Sequence, residues 1–295
     1  MSPKFYIIPV LIMGGGAAFL MSWKADKREQ QHQHEHVTVS IAHSQEVADE
    51  WCHQGSSNRK NWHCEVREFT VPLGSFEGVT STNGNIQVEA WDKDEVFIRA
   101  KVEGRAGSYD AARELVSAIS LATSNDILKA SGPKRGRGSS WSVSYRAMVP
   151  MKSDLTVSAT NGNVTVVEVM GDLSARSTNG NVQLRGVGGD VSGGTTNGNV
   201  KIELAGNAWV GDGVDVRTTN GSIDLSIPGD YNGVLEAATV NGGISVDFPV
   251  TVTGKISKKL YAELGDGGAT IKAVTTNGSV RIGRTEARLP GVPVI

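Results

Sequence analysis

Residues 160–202 have the sequence TNGNVTVVEVMGDLSARSTNGNVQLRGVGGDVSGGTTNGNVKI, in which Thr-Asn-Gly-Asn begins at Thr160, Thr178 and Thr196. An earlier copy begins at Thr82, and variants begin at Thr219, Val240 and Thr276. From Asn161 onward, successive first asparagines are 18, 18, 23, 21 and 36 residues apart. A period near twenty indicates a repeat architecture. The predicted turn residues are Asn83, Gly84, Asn161, Gly162, Asn179, Gly180, Asn197, Gly198, Asn220, Gly221, Asn241, Gly242, Asn277 and Gly278.

Apolar residues alternate with polar ones after each Asn-Gly, as in Val182-Gln183-Leu184. This pattern predicts a short strand with one buried face and one solvent-exposed face. Turns such as Gly188-Gly189-Asp190 divide each unit and lead to a second strand. The polar outer positions are the candidate binding face, comprising Thr165, Gln183, Lys201 and Asp224.

Two architectures satisfy this pattern. In a parallel β-solenoid each unit is one coil, and equivalent Asn and Thr residues stack about 4.8 Å apart as ladders. In an antiparallel meander or sandwich each Asn-Gly is a hairpin turn. We favour the solenoid, because residues that stack on their own copies must be nearly identical at the same position of each repeat, whereas a meander requires only alternation and turns.

The chain before the main repeat predicts further strands and one helix. Strands are expected through Ile86–Ala90, Val96–Ala100, Ile127–Ala130 and Trp141–Val149. A short amphipathic helix is expected within Tyr109–Thr123, behind Ser108 as N-cap. The predicted fold is therefore all-β with one short helix, spanning residues 66–284 and followed by a tail at 285–295.

The amino-terminal region predicts a membrane-inserting segment. The nineteen residues from Phe5 to Trp23 carry no charge and as a helix span about 28 Å. We expect a signal anchor or transmembrane helix over residues 1–24, with a cleaved signal peptide as the alternative. The charges that flank this segment do not define its orientation in the membrane. The two cysteines favour export of the C-terminal part, so we expect a bacterial inner-membrane protein with a periplasmic or surface domain. Residues 25–65 predict a polar, His-rich linker.

Cys52 and Cys64 are the only cysteines in the chain. In an exported protein they predict a disulfide; together with His53 and His63 they also form a ligand set that zinc accepts. The spacing matches no familiar zinc finger, so we predict no metal site. We expect the His32–His36 run to be part of a solvated linker. We expect Lys134–Arg137 to form a solvated hairpin tip; the alternative is that this basic run binds a polyanion.

Charge and motif content narrow the classes of function. A net charge of −2 predicts no nucleic-acid partner. We find no nucleophile with a base, no paired carboxylates in a strand context and no phosphate-binding loop, so the expectation is a non-enzymatic protein without a cofactor. Asp172 and Asp190 recur, but at turns, where Asp is favoured.

A set of motifs gives a family resemblance. Residues Cys64–Glu68, Trp91–Val96, Trp141–Tyr145, the repeated Thr-Thr-Asn-Gly and the run Val240–Pro249 resemble the putative-adhesin β-strand-repeat family of bacterial envelope proteins. The resemblance covers roughly residues 64–284 and implies a solenoid-like stack, export and no catalytic residues. This chain departs from the family's usual Asn-Gly-Gly because Asn replaces the second Gly at positions 85, 163, 181 and 199.

Three hypotheses on function follow. The first is a membrane-anchored envelope or surface protein whose β-repeat face mediates adhesion or contacts with proteins or glycans. The second is a self-assembling structural scaffold, and the third, a minor alternative, is a polysaccharide-cleaving β-helix enzyme. The oligomeric state stays open at this stage.

Overall fold

A computed structural model describes residues 50–53, 61–72, 74–134, 136, 138–249 and 258–285. The segment 5–23, most of the predicted linker and the tail 286–295 lie outside these residues. No described helix is long and apolar enough to span a membrane. The elements before the main repeat are α1 (Glu50–His53), β1 (Trp62–Val71), β2 (Gly78–Asn83), β3 (Ile86–Trp91), β4 (Val96–Arg105), α2 (Tyr109–Ser117), β5 (Ser120–Ser124), β6 (Ile127–Ser131) and β7 (Ser140–Pro150).

The repeat region contributes pairs of strands on either side of each Asn-Gly corner. These strands are β8 (Leu155–Asn161), β9 (Val164–Val167), β10 (Leu173–Asn179), β11 (Val182–Arg185), β12 (Asp190–Asn197), β13 (Val200–Glu203), β14 (Gly213–Asn220), β15 (Ile223–Ile227), β16 (Gly233–Asn241), β17 (Ile244–Val246), β18 (Lys259–Leu264), β19 (Thr270–Asn277) and β20 (Val280–Arg284).

All described strands belong to two ten-stranded sheets. Sheet A has the order β1-β4-β7-β3-β9-β11-β13-β15-β20-β17, and sheet B has the order β18-β16-β19-β14-β12-β10-β8-β2-β6-β5. Each repeat unit gives one strand to sheet B and, past the corner, one to sheet A; we call this pair a coil. Neighbouring coils pair in parallel, with Asn179 opposite both Asn161 and Asn197. The predicted parallel solenoid is confirmed, and the antiparallel meander is wrong for the repeat units.

The coils do not stack in chain order at the C-terminal end. Strand β19 lies between β14 and β16, and β20 lies between β15 and β17. The last coil of the sequence is therefore inserted between the two before it. In the gap of 36 residues between Asn241 and Asn277, the described residues form β17, β18 and β19, and β18 pairs antiparallel with β16.

The N-terminal part of the fold is mixed, and several predicted boundaries shift. Strands β4 and β7 pair antiparallel, as do β1 and β4, and β1 begins at Trp62, inside the predicted linker. Strand β2 was not predicted, since its inward position Ser81 is polar and buried. Helix α2 begins after Ser108 as predicted but ends at Ser117, before β5.

The core lies between the two sheets and consists of stacked columns of aliphatic side chains. Val182 of β11 has Val164 and Val200 as register partners, and all three are fully buried. Equivalent positions thus stack on their own copies, as the repeat predicted. Helix α2 buries Ala112 and Val116, and Val116 belongs to the core cluster between the sheets.

Candidate functional site

The Asn-Gly corners form a continuous amide ladder along the solenoid. The Nδ2 group of Asn179 donates to Oδ1 of Asn161 at 2.9 Å, and Nδ2 of Asn197 donates to Oδ1 of Asn179 at 2.8 Å. The ladder follows the spatial order of the coils, since Asn277 donates to Asn220 and Asn241 donates to Asn277. Its seven members are Asn83, Asn161, Asn179, Asn197, Asn220, Asn277 and Asn241.

The corner glycines are required by close packing between coils. A Cβ on Gly180 would lie 2.1 Å from the carbonyl oxygen of Gly162, and a Cβ on Gly221 would lie 1.8 Å from that of Gly198. These carbonyl oxygens also accept buried hydroxyls, as where Thr195 Oγ1 donates to Gly180 at 2.8 Å. The Asn-Gly pairs are structural and leave the flat faces for contacts.

The predicted binding face is one unbroken row on the outer side of sheet A. Gln183 is the register partner of both Thr165 and Lys201, and Lys201 is the partner of Asp224. The structure therefore brings all four residues together. It extends the row to Gln87 beside Thr165 and to Arg281 beside Asp224, and Arg281 bonds Asp224 at 3.2 Å.

Cys52 and Cys64 form a disulfide that ties α1 to β1. This pairing occupies the sulfurs of the alternative zinc site, and the His63 ring packs edge-on against Tyr109, with centroids 5.5 Å apart. Among the described residues, no group of three His, Cys, Asp or Glu is arranged to hold a metal ion. The His32–His36 run lies outside these residues, as do Arg135 and Arg137 of the predicted basic loop.

An open depression of about 400 Å³ lies where the strands of sheet B begin. Four carboxylates line it, from Glu77, Asp154, Asp172 and Asp190. The three aspartates come from successive coils, and the Asp172 amide donates to Asp154 Oδ1 at 2.8 Å. Sequence reasoning assigned Asp172 and Asp190 to turns and missed this column, whose signal was the 18-residue spacing from 154 to 172 to 190.

Four described groups have a shifted pKa: burial raises the pKa of the Tyr145 hydroxyl, and the hydrogen bond to Asp215 raises the pKa of the Arg217 guanidinium, while Asp215 and Tyr231 shift as follows. A hydrogen bond from Arg217 lowers the pKa of the Asp215 carboxyl on the outer side of sheet B. Burial raises the pKa of the Tyr231 hydroxyl to about 12. None of the four groups lies in the row from Thr165 to Asp224 or among the residues that line the depression, so these shifts bear on stability rather than on a site.

The family of the chain follows from its sequence over most of its length. The model of the Toastrack DUF4097 family matches residues 27–283. The chain belongs to the Toastrack DUF4097 family. This match confirms the resemblance that the sequence motifs predicted and agrees with a solenoid-like stack. No curated protein is significantly similar in sequence to the chain.

Solved structures with a similar fold are distant in sequence. A putative cell adhesion protein from Clostridium sporogenes is 10% identical over 76% of this chain and 100% of its own, with a TM-score of 0.40. A putative adhesin from Bacteroides fragilis is 15% identical over 75% and 97%, with a TM-score of 0.41. A putative lipid binding protein from Parabacteroides distasonis is 10% identical over 76% and 97%, with a TM-score of 0.27.

Proposed function

We propose that this Toastrack protein is a non-enzymatic component of the bacterial envelope that presents the outer face of sheet A for adhesion or for contacts with a protein or glycan. The observation that carries the proposal is the unbroken row from Thr165 to Asp224. Parallel register holds these side chains at the strand spacing, about 4.8 Å apart. A rigid surface loses little conformational entropy when a partner binds.

The chemistry of the row suits a polar partner. Hydroxyl and amide groups of Thr165 and Gln183 can donate and accept hydrogen bonds. Lys201 lies 2.6 Å from Glu203, and Asp224 is bonded to Arg281, so the charges alternate along the face. Such a pattern favours specificity and orientation over strong non-specific attraction.

Charge reversal along the row tests the proposal. We expect Lys201→Glu together with Asp224→Lys to abolish retention of the purified protein on isolated envelope material. The matched control is Lys129→Glu, an exposed cation on β6 of sheet B, which should leave retention unchanged. Equal retention of both variants and of the unchanged protein would show that this face is not the recognition surface.

Membrane anchoring and export are part of the same proposal. The uncharged segment from Phe5 to Trp23 supplies the anchor, and the disulfide supports an oxidising compartment. In intact cells, a membrane-impermeant thiol reagent should label Cys52 and Cys64 only after treatment with reductant. Labelling without reductant would show free thiols, and no labelling after it would place the domain in the cytoplasm.

A scaffold is the second candidate function. The observation that favours it is that, among the described residues, sheet A ends at β17 with no further strand beside it, and an open strand edge invites pairing with another chain. Sedimentation of the protein at increasing concentration separates the cases. A monomer throughout excludes the scaffold, whereas concentration-dependent growth supports it.

The minor alternative of a polysaccharide-cleaving enzyme is favoured by the acidic depression alone. It requires two of the four carboxylates to act as acid and base or nucleophile. Incubation with envelope polysaccharide should then release reducing ends, and Asp172→Asn should stop the release. We expect no release from the unchanged protein.

A further inference from the structure

A second region of the outer face of sheet A carries an unusual charge arrangement. Arg99 of β4 and Arg146 of β7 are direct register partners, and Lys101 follows two residues after Arg99 on the same side of β4. Like charges directly opposite each other destabilise a sheet. Three cations at this position therefore require compensation.

Only part of the compensation comes from acidic side chains. Glu68 bonds Arg99 at 2.6 Å, and Glu103 lies 3.3 Å from Lys101. For Arg146 the described residues supply no ion pair or hydrogen bond, and its side chain is exposed. Arg146 therefore lies outside both of these ion pairs.

The remaining compensation comes from an indole ring. The Trp51 ring centroid lies 4.3 Å from Cζ of Arg146, 5.6 Å from Nζ of Lys101 and 5.9 Å from Cζ of Arg99. The negative face of one ring thus lies within 6 Å of three cations. Trp51 lies on α1, a four-residue helix too short to be stable alone, and the Cys52–Cys64 disulfide keeps it at this position.

The row next to the cations holds two apolar side chains, which lie between Thr70 of β1 and the exposed Glu89 of β3. Phe97 and Met148 are register partners, each two residues from an arginine of the cluster on the same side of its strand. Met148 is 40% exposed, and Phe97 is half-buried against Trp91, with ring centroids 6.2 Å apart. On β4 and β7, a pair of cations thus borders a pair of apolar side chains, an arrangement that matches an anionic head group joined to a hydrocarbon chain.

From this geometry we infer that the cluster of Arg99, Lys101 and Arg146 binds the anionic head group of a lipid, with Trp51 as a displaceable cover. The guanidinium of Arg146 donates to the head-group oxyanion, which Arg recognises in a forked geometry. Phe97 and Met148 contact the first methylenes of the chain. Arg146 is the register partner of Gln87, so this site adjoins the Gln87 end of the row from Thr165 to Asp224.

Calorimetric titration of the full chain in neutral detergent with dihexanoyl phosphatidic acid tests the inference. Arg146→Gln should weaken binding about tenfold or more, because a charge-assisted hydrogen bond is lost. Trp51→Ala should tighten binding about three- to thirtyfold, because the lipid no longer displaces a cation–π contact. The control Lys129→Gln, an exposed cation on β6 of sheet B, should stay within about twofold.

Three comparison ligands identify the class that is bound. Dihexanoyl phosphatidylcholine and inorganic phosphate should both bind at least about tenfold more weakly, the first for lack of net charge and the second for lack of methylenes. Equal effects of Arg146→Gln and Lys129→Gln would overturn the site, and weaker binding by Trp51→Ala would overturn the role of Trp51 as a cover. Tighter binding of tri-galacturonic acid than of the lipid would overturn the lipid assignment.

Discussion

Replacement of Gly180 by alanine should show how closely the coils are packed. The new Cβ would lie 2.1 Å from the Gly162 oxygen and 2.5 Å from its carbonyl carbon, so the two corners must separate by about 1 Å to reach ordinary contact. Five hydrogen bonds join the two corners across this interface: Gly162 N–H to the Asn179 oxygen, Val164 N–H to the Asn181 oxygen, Ser177 Oγ to the Gly162 oxygen, the amide ladder bond and Asn181 N–H to Asn163 Oδ1. At roughly 1 kcal/mol each, their weakening predicts a loss of about 3–4 kcal/mol.

Urea unfolding followed by circular dichroism measures the free-energy loss for Gly180→Ala. The matched control is Gly243→Ala at the corner of the β16–β17 coil, where a Cβ meets no atom within 4 Å. We expect the control to shift the midpoint by less than the equivalent of about 0.5 kcal/mol. A loss below about 1 kcal/mol for Gly180→Ala, or equal losses for the two variants, would refute the close approach of the corners.

Three further outcomes are expected. Asn220→Ala removes two ladder bonds and should lower the free energy of unfolding in urea by about 1–2 kcal/mol. Asn83→Ala removes one such bond and should lower it by about half as much. The reverse ranking would contradict a continuous ladder. Arg67→Met removes the guanidinium donor to the Val116 and Ile119 carbonyls, so amide hydrogen exchange in α2 should accelerate while exchange in β10 stays unchanged. Because burial raises the Tyr231 pKa to about 12 from about 10 in the unfolded chain, stability should fall as the pH rises between these values, and Tyr231→Phe should reduce that fall; an identical alkaline profile for the variant would exclude Tyr231 as its cause.

The repeat could be predicted because its residues are fixed by contacts with their own copies. A Cβ at Gly180 or Gly221 meets the backbone of the adjacent coil, so the corner tolerates only glycine there. Asn179 needs an amide above and below it, which imposes the same residue at each corner. A hairpin in a meander requires neither the same glycine nor the same asparagine at each turn. The near-identical residues at the same position of each repeat therefore indicated parallel stacking.

The order of the coils could not be predicted from the same residues. Asn241 fits on Asn220 as well as on Asn277, since all three present the same amide to their neighbours. What distinguishes them is β18, which covers the outer edge of β16 and leaves the position between β14 and β16 for the last coil. The alternation of apolar residues carries no information on that choice.

The two surface clusters depend on register between distant strands. Arg99 and Arg146 are 47 positions apart in the sequence, and only the antiparallel pairing of β4 with β7 places them opposite each other. The acidic column required the 18-residue period to be applied to the turns as well as to the corners. The row from Thr165 to Asp224 was accessible because it lies at one phase of the repeat.

Distances between spin labels along the outer face of sheet A test the stacking order and register most directly. Labels on exposed cysteines at positions 165 and 281 are four strands apart, β9 to β20, and those at 165 and 245 are five strands apart, β9 to β17. At about 4.8 Å per strand, pulsed electron resonance should give about 19 Å for the first pair and about 24 Å for the second. A longer distance for 165–281 than for 165–245 would contradict the insertion of the last coil, and a broad distribution for both pairs would contradict a rigid parallel stack.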